Sequence, residues 1–305
     1  MVVQKRKELK ISDMENINSV LMPVNQQFID VFQTFMDDNQ KTKIRANNVR
    51  QYVEGIIDLL LKDKIEPNLK ENEKYSGINW GRKIKIIREK YDENIAEKIQ
   101  DIFMIGGEGS HFNGQVSDDD LQSIIEKAIH IVEDMFIKYF LTPGHEFGNE
   151  NIFTIFSMLP LHHRIYILEN VSTHYKNEHI VDRLSLAYVK SDAKDKGISL
   201  LEKSLQESVV NENFYLYQLN KINIISSNLA ELYEKNADYK DNPEYSKALV
   251  VNDHLVVGLP TSKDIFDTAK AVEIFRQWFE TGKDEYSEFV NLFLCLMATD
   301  NRQYE

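Results

Sequence analysis

The sequence predicts an all-α protein of two helical domains, and three observations carry that expectation. Apolar residues recur at spacings of three and four along most of the chain, the signature of helices with one buried face. Only 12 Gly and 6 Pro among 305 residues leave little room for turn-rich β architecture. A chain of this length exceeds one small core and suits two domains of roughly 100 to 200 residues each. Hydrophobic content of 42% beside 28% charged residues is that of a soluble globular protein.

Residues 1–41 read as an N-terminal helical arm. Ser12 and Asp13 cap a first short helix that Pro23 interrupts, and a second piece carries Phe28, Val31, Phe32 and Phe35 on one face. From Thr42 a long helix turns Val49, Tyr52, Val53, Ile56, Ile57, Leu60 and Leu61 inward and ends before Pro67. After a polar loop over 68–77, Trp80, Ile84, Ile87 and Tyr91 mark the next helix. Ile95, Ile99, Ile102 and Phe103 mark the one after, which is expected to end at Gly106-Gly107. The stretch IGGEGSHFNG then reads as a compact Gly-rich turn carrying His111. Ser117 follows as an N-cap with Asp118, Asp119 and Asp120 in the first turn, where orphan N–H groups and the helix dipole favour carboxylates. The helix it opens has a broad apolar stripe from Leu121 to Phe140.

Residues 142–151, TPGHEFGNEN, concentrate Pro, Gly, Asn and charge, and place the domain boundary between 42–141 and 152–305. Short helical patterns follow over 152–159, 161–175, 180–190, 198–209 and 214–234, joined by polar links that read as antiparallel hairpins. The pair around Leu184, Ala187, Tyr188, Ile198, Leu201 and Leu205 is similar to a single tetratricopeptide unit, without a sustained period. Asn252-Asp253, flanked by 248–251 and 255–258, predicts a small β-hairpin inside this helical domain. Ser262 caps a helix through Trp278 and Phe279, and a last helix spans about 284–297.

A net charge of -13 opposes a general electrostatic footprint for nucleic acid, leaving contact through a partner or through one local basic patch, Arg82, Lys83, Lys85, Arg88 and Lys90, which reads as a solvated helix face. The single cysteine, Cys295, lies in an apolar run, so neither a disulfide framework nor a Cys-based zinc site can form within one chain. No metal site and no cofactor are expected. No apolar run approaches the roughly 18 residues of a membrane span, and MVVQKRKELK has no signal-type apolar segment behind it, so the expected location is the cytoplasm.

Residues 42–141 resemble the HEPN superfamily of helical bundles, especially its defence-associated branch of unknown function. The likeness rests on Arg50 and Glu54 one turn apart in NNVRQYVEGIIDLLL, on a helix like KIKIIREK, and on the Gly-containing turn ending in His before an acidic cap. Against the usual turn, Gly106, Ser110 and His111 fit, Gly107 stands where Asn is usual, and Phe103 where Arg is usual. In nuclease members of this superfamily an Arg four to six residues before a His provides the cation and acid/base pair for metal-independent RNA cleavage. A guanidinium stabilises the charged phosphorane while imidazole moves a proton near neutral pH. None of the eight His here has that Arg. The resemblance therefore implies the bundle and a defence setting, and the missing Arg opposes self-contained nuclease activity.

Two functional expectations follow. The first is a non-catalytic accessory or regulatory subunit of a bacterial anti-phage complex, with an ATPase or nuclease subunit as companion and with Gly106, Gly107, Glu108, Ser110 and His111 as the binding segment. The second is a divergent ribonuclease in which His111, with Arg50 and Glu54 as further candidates, works with an Arg from another helix (Arg45, Arg50 or Arg88) or from the second protomer of a homodimer. Weaker constellations read as structural. His162 and His163 point about 100° apart and suit a solvated helix cap better than one metal, Glu108 opposes a phosphate at the glycines, and Phe214, Tyr215 and Tyr217 lack interleaved cations for stacking bases.

Overall fold

The computed structural model describes residues 26–111, 114–145, 150–157, 159–235, 274, 277–278 and 286–298, and among these every regular element is helical. Helix α1 (Gln26–Met36) packs against α2 (Thr42–Ile56). The contact is aromatic: Phe28, Phe32 and Phe35 surround the buried ring of Tyr52 with centroids 4.8 to 5.3 Å away. Residues 26–36, assigned from sequence to an arm, are thus a layer of the bundle, because three Phe on one helix face gain more from burial than from water.

Helix α2 passes into a π-helical turn, Ile57–Leu61, then an α-helical turn, Lys62–Ile65, and ends at Pro67 in the 3-10 turn Glu66–Asn68. The wider turn resets the helix phase, so Leu61 and Ile65 stay on the buried side with Ile57, while Leu60 is only half-buried.

Side chains at the N-termini set the next helices. Asn79 accepts from the Arg82 N–H at 2.9 Å and opens α3 (Trp80–Lys90). Asp92 accepts from the Ile95 N–H at 3.0 Å and opens α4 (Glu93–Ser110). Ser117 accepts from the Asp120 N–H at 3.1 Å and opens α5 (Asp118–Leu141), the expected cap. The core between them holds Val49, Val53, Ile56, Ile99, Ile102 and Ile124, each contributing roughly 1.5–3 kcal/mol by leaving water.

The chain divides into two compact units. One comprises α1 to α5 as far as Tyr139, together with α11 (Ser287–Ala298); the other runs from Phe140 through the helices below. The last helix, placed from sequence in the 152–305 domain, therefore belongs with the first bundle. Its Phe289 ring lies 5.5 Å from Phe136 and 5.8 Å from Tyr139, and Lys64 reaches Glu288 at 2.8 Å. Phe289, Val290 and every residue from Leu292 to Leu296 are buried, while Ser287 and Asn291, one turn apart, keep one side of its first half exposed.

In the second unit α6 (Glu150–Phe156), α7 (Leu161–His174), α8 (Glu178–Lys190), α9 (Lys194–Gln206) and α10 (Glu212–Lys235) match the expected patterns within a few residues. Helices α8 and α9 are each 13 residues long, and α10 begins 34 residues after α8, the spacing of a helix–turn–helix repeat. Asp192 at φ 64° and Ser208 at φ 57° close the intervening turns in the left-handed region. Gly197 lets α9 approach α8, since a β-carbon there would stand 2.9 Å from the Ser185 carbonyl oxygen. Val181, Val189, Leu201, Val210 and Ile222 form the shared core. The expected β-hairpin around Asn252-Asp253 lies outside the described residues, as do the Ser12, Pro23 and Ser262 readings.

Candidate functional site

The segment singled out in the sequence is not a turn until its end. Helix α4 continues through Ser110, and His111 is its C-cap, with its N–H donating to Glu108 O at 3.2 Å. Gly106 and Gly109 face α2: a β-carbon on Gly106 would meet Arg50 Cβ at 2.7 Å and Ala46 O at 2.9 Å, and one on Gly109 would meet Lys43 O at 2.8 Å. These glycines sit in a helix for close packing, which overrides their turn preference. The glycine that the turn itself requires is Gly114, where a β-carbon would fall 2.0 Å from Glu108 O. Gly107 faces open space. The N–H groups of 106–109 are committed to helical bonds, so the segment offers no phosphate cradle. Ser110 Oγ likewise donates back to Gly107 O at 2.6 Å.

His111 is exposed at this helix end, and Lys43 Nζ donates to its carbonyl oxygen at 2.6 Å. The three Arg candidates are engaged elsewhere. Arg50 pairs with Glu54 at 2.9 Å, with its guanidinium 5.5 Å from the Phe103 ring centroid. Arg45 donates to Phe35 O at 2.8 Å and pairs with Asp38 at 2.9 Å, while Arg88 bonds Gln100 at 2.7 Å. Arg50 and Glu54 are brought together as the sequence spacing implied; described bonds tie neither to His111.

A second cluster lies between the π turn and α3. Lys83, read from sequence as part of a solvated face, is buried, with Nζ 3.8 Å from the Tyr75 centroid, 4.0 Å from that of Trp80 and 3.2 Å from Asp58. Tyr75 donates its hydroxyl to Asp58, and burial with this bond raises the phenol pKa far above its ordinary value. Trp80 packs against Phe103 with ring centroids 4.8 Å apart and the planes tilted by 49°. Two others of the basic patch are paired, Arg82 with Glu73 at 3.3 Å and Lys85 with Glu89 at 3.7 Å, and Arg88 donates to the neutral Gln100. The sequence signal was the pair of aromatic residues upstream, Tyr75 and Trp80, the latter three residues before Lys83 on the same helix.

Between α4 and α5, Lys98 pairs with Asp134 at 2.5 Å and Lys127 with Asp101 at 2.7 Å. His130 Nδ1 meets the buried carboxylate of Glu133, and that bond raises the imidazole pKa. Burial raises the pKa of Asp134 in spite of Lys98. Among the described residues no group of three or more His, Cys, Asp or Glu is arranged to hold a metal ion, and no helix is long and apolar enough to cross a membrane. Of the adjacent histidines, His162 is exposed but His163 is 5% exposed, so the solvated-cap reading fits only the first.

In the second unit the stacking candidates separate. Phe214 and Tyr215 pack onto the core, whereas Tyr217 is 65% exposed, next to Leu216 at 55% and near Ile224 at 53%. Sequence reasoning passed over this face. Its trace was available in NFYLYQLNKINIISSNLA, residues 213–230, where Lys221 is the one charged residue. Comparison of the chain with protein-family models, with curated proteins and with solved structures finds no match.

Proposed function

We propose that this protein is a non-catalytic accessory subunit of a bacterial anti-phage defence complex, acting through protein–protein contacts. The observation that supports the contact role is the exposed, uncharged face of α10 carrying Leu216, Tyr217 and Ile224, in a chain otherwise rich in charge. The commitment of Arg45, Arg50 and Arg88 to partners other than His111 agrees with a silent bundle. The defence setting, and an ATPase or nuclease subunit as companion, rest on the HEPN resemblance of residues 42–141. Affinity capture of the tagged chain from its native host, with mass spectrometry and a nucleic-acid assay, tests the reading. A stoichiometric ATPase or nuclease is the expected result.

A divergent ribonuclease is the second reading, favoured by one observation: His111 is exposed rather than packed in the core. Recovery of a lone homodimer that degrades added RNA, and loses that activity on His111→Ala, replaces the accessory role with the enzyme.

A further inference from the structure

Helix α10 docks on α8 through a polar centre. Gln218 is fully buried, and its Nε2 donates to the Asp182 carbonyl oxygen at 3.2 Å and to Ser185 Oγ at 3.1 Å. Three residues on, Lys221 Nζ reaches the Asp182 carboxylate at 2.8 Å. Around this pair Phe214, Tyr215, Ile222 and Ile225 pack into the shared core. The arrangement carries a cost, since Gln218 Oε1 is buried with no hydrogen-bond partner among the described residues.

Apolar burial does not select this facing. At about 100° per residue, turning α10 by one residue's angle would bring Leu219 to the place of Gln218, with Leu216, Asn223 and Ser226 beside it. Tyr215 and Ile222 would stay inside, while Phe214, Lys221 and Ile225 would move out. Four apolar side chains dock in either case, Phe214, Tyr215, Ile222 and Ile225 in the observed facing and Tyr215, Leu216, Leu219 and Ile222 in the turned one. The turned facing also returns the amide and the lysine to water, so burial by itself does not rank it below the observed one. Such a turn moves each Cα by about 3.5 Å, on a helix radius of about 2.3 Å, a shift that the connection 207–211 from α9 can absorb. What the turned facing lacks is polar: Leu219 in that place offers no donor to Ser185 and Asp182.

We propose that Gln218 and Lys221 form a latch that selects which face of α10 is turned outward. A buried polar group that fixes one packing among several of similar apolar content is a device of specificity rather than of stability. The latch holds Phe214 and Ile225 inside and leaves Leu216 in water. Its use in presenting a contact surface rests on the protein–protein reading above; the latch itself does not.

The test is methyl NMR of the full chain, with labelled Ile and Leu and a soluble nitroxide that broadens exposed methyls. In the parent chain Leu216 and Ile225 each give one set of signals, and the nitroxide broadens Leu216 the more strongly. Q218L/K221M removes the latch without opening a void. Expected is a second set of Leu216 and Ile225 signals, at about a tenth of the intensity or more, in which the order of broadening is reversed. The urea midpoint should be no lower than that of the parent, and Ile99 and Ile102 of the first bundle should be unchanged. A single set with the parent's order of broadening overturns the latch, because packing alone then fixes the facing. If Q218L/K221M does not fold, S185A/K221M removes one acceptor and the ion pair with little change of core volume. The same second set is expected there, and its absence overturns the proposal. These spectra need no partner, so the accessory role is decided separately by the capture experiment.

Discussion

Gly106 stands against Arg50 so closely that a β-carbon on the glycine would lie 2.7 Å from the Arg50 Cβ, whereas one on Gly107 would meet nothing within 4 Å. The two adjacent glycines of α4 therefore respond to Ala with opposite signs. Gly106→Ala forces α2 and α4 apart and is expected to destabilise the bundle by about 1–3 kcal/mol. Gly107→Ala meets no clash and gains helix propensity, up to about 1 kcal/mol. Urea unfolding of both variants checks the pair; equal effects would refute the helix-packing role.

Lys83 is held between Tyr75 and Trp80 with Asp58 alongside. Lys83→Ala removes two ring contacts and leaves a void, with an expected loss of about 2 kcal/mol or more. Asp58 is more than half exposed, so Asp58→Asn should cost less than about 1 kcal/mol. Chemical denaturation measures both, and Trp80 fluorescence should shift for the first variant far more than for the second.

His130 gives the protein a pH-dependent stability of defined sign. Its pKa is raised in the folded state, chiefly by the bond to Glu133, so its contribution is full below the unfolded value near 6.5 and is lost as pH rises through the folded value. Asp134, also raised, acts with the same sign in the window beginning at its ordinary 3.8. Stability should fall between about pH 6 and the folded His130 value, and His130→Gln should flatten that slope. Urea midpoints across pH and an NMR titration of the imidazole provide the measurement.

Phe289 belongs to the last helix in sequence yet packs on Phe136 and Tyr139 of the first bundle. Phe289→Ala is expected to cost about 3–5 kcal/mol, the range for a buried aromatic replaced by Ala. A chain truncated before α11 should lose cooperative unfolding of the α1 to α5 bundle. Calorimetry of both variants distinguishes this from a last helix that merely trails the second unit.

Helix legibility and site legibility differ for a physical reason. The caps at Asn79, Asp92 and Ser117 are local, so residues adjacent in sequence specify them. The apolar periodicity of α2 and α5 likewise foretold their buried faces, but the π turn at Ile57–Leu61 was not marked by any breaker. The Gly106 to Gly109 run was misread because glycine signals a turn and a close helix contact equally well, and only the position of Arg50 and Ala46 across the interface decides between them. His111, read as part of a turn, proved to be the C-cap of a longer helix, and the engagement of Arg45, Arg50 and Arg88 likewise emerged only from the packed chain.

The sequence by itself determined the all-α class and the order and near bounds of most of the described helices, since each follows from periodicity and end signals within a short window. Only the tertiary structure decided that α11 joins the first bundle, that Lys83 is enclosed by aromatic rings, and that one face of α10 stays open and uncharged. Those outcomes depend on which surfaces meet, and a helix with apolar residues on several sides does not name its neighbours until the chain has packed.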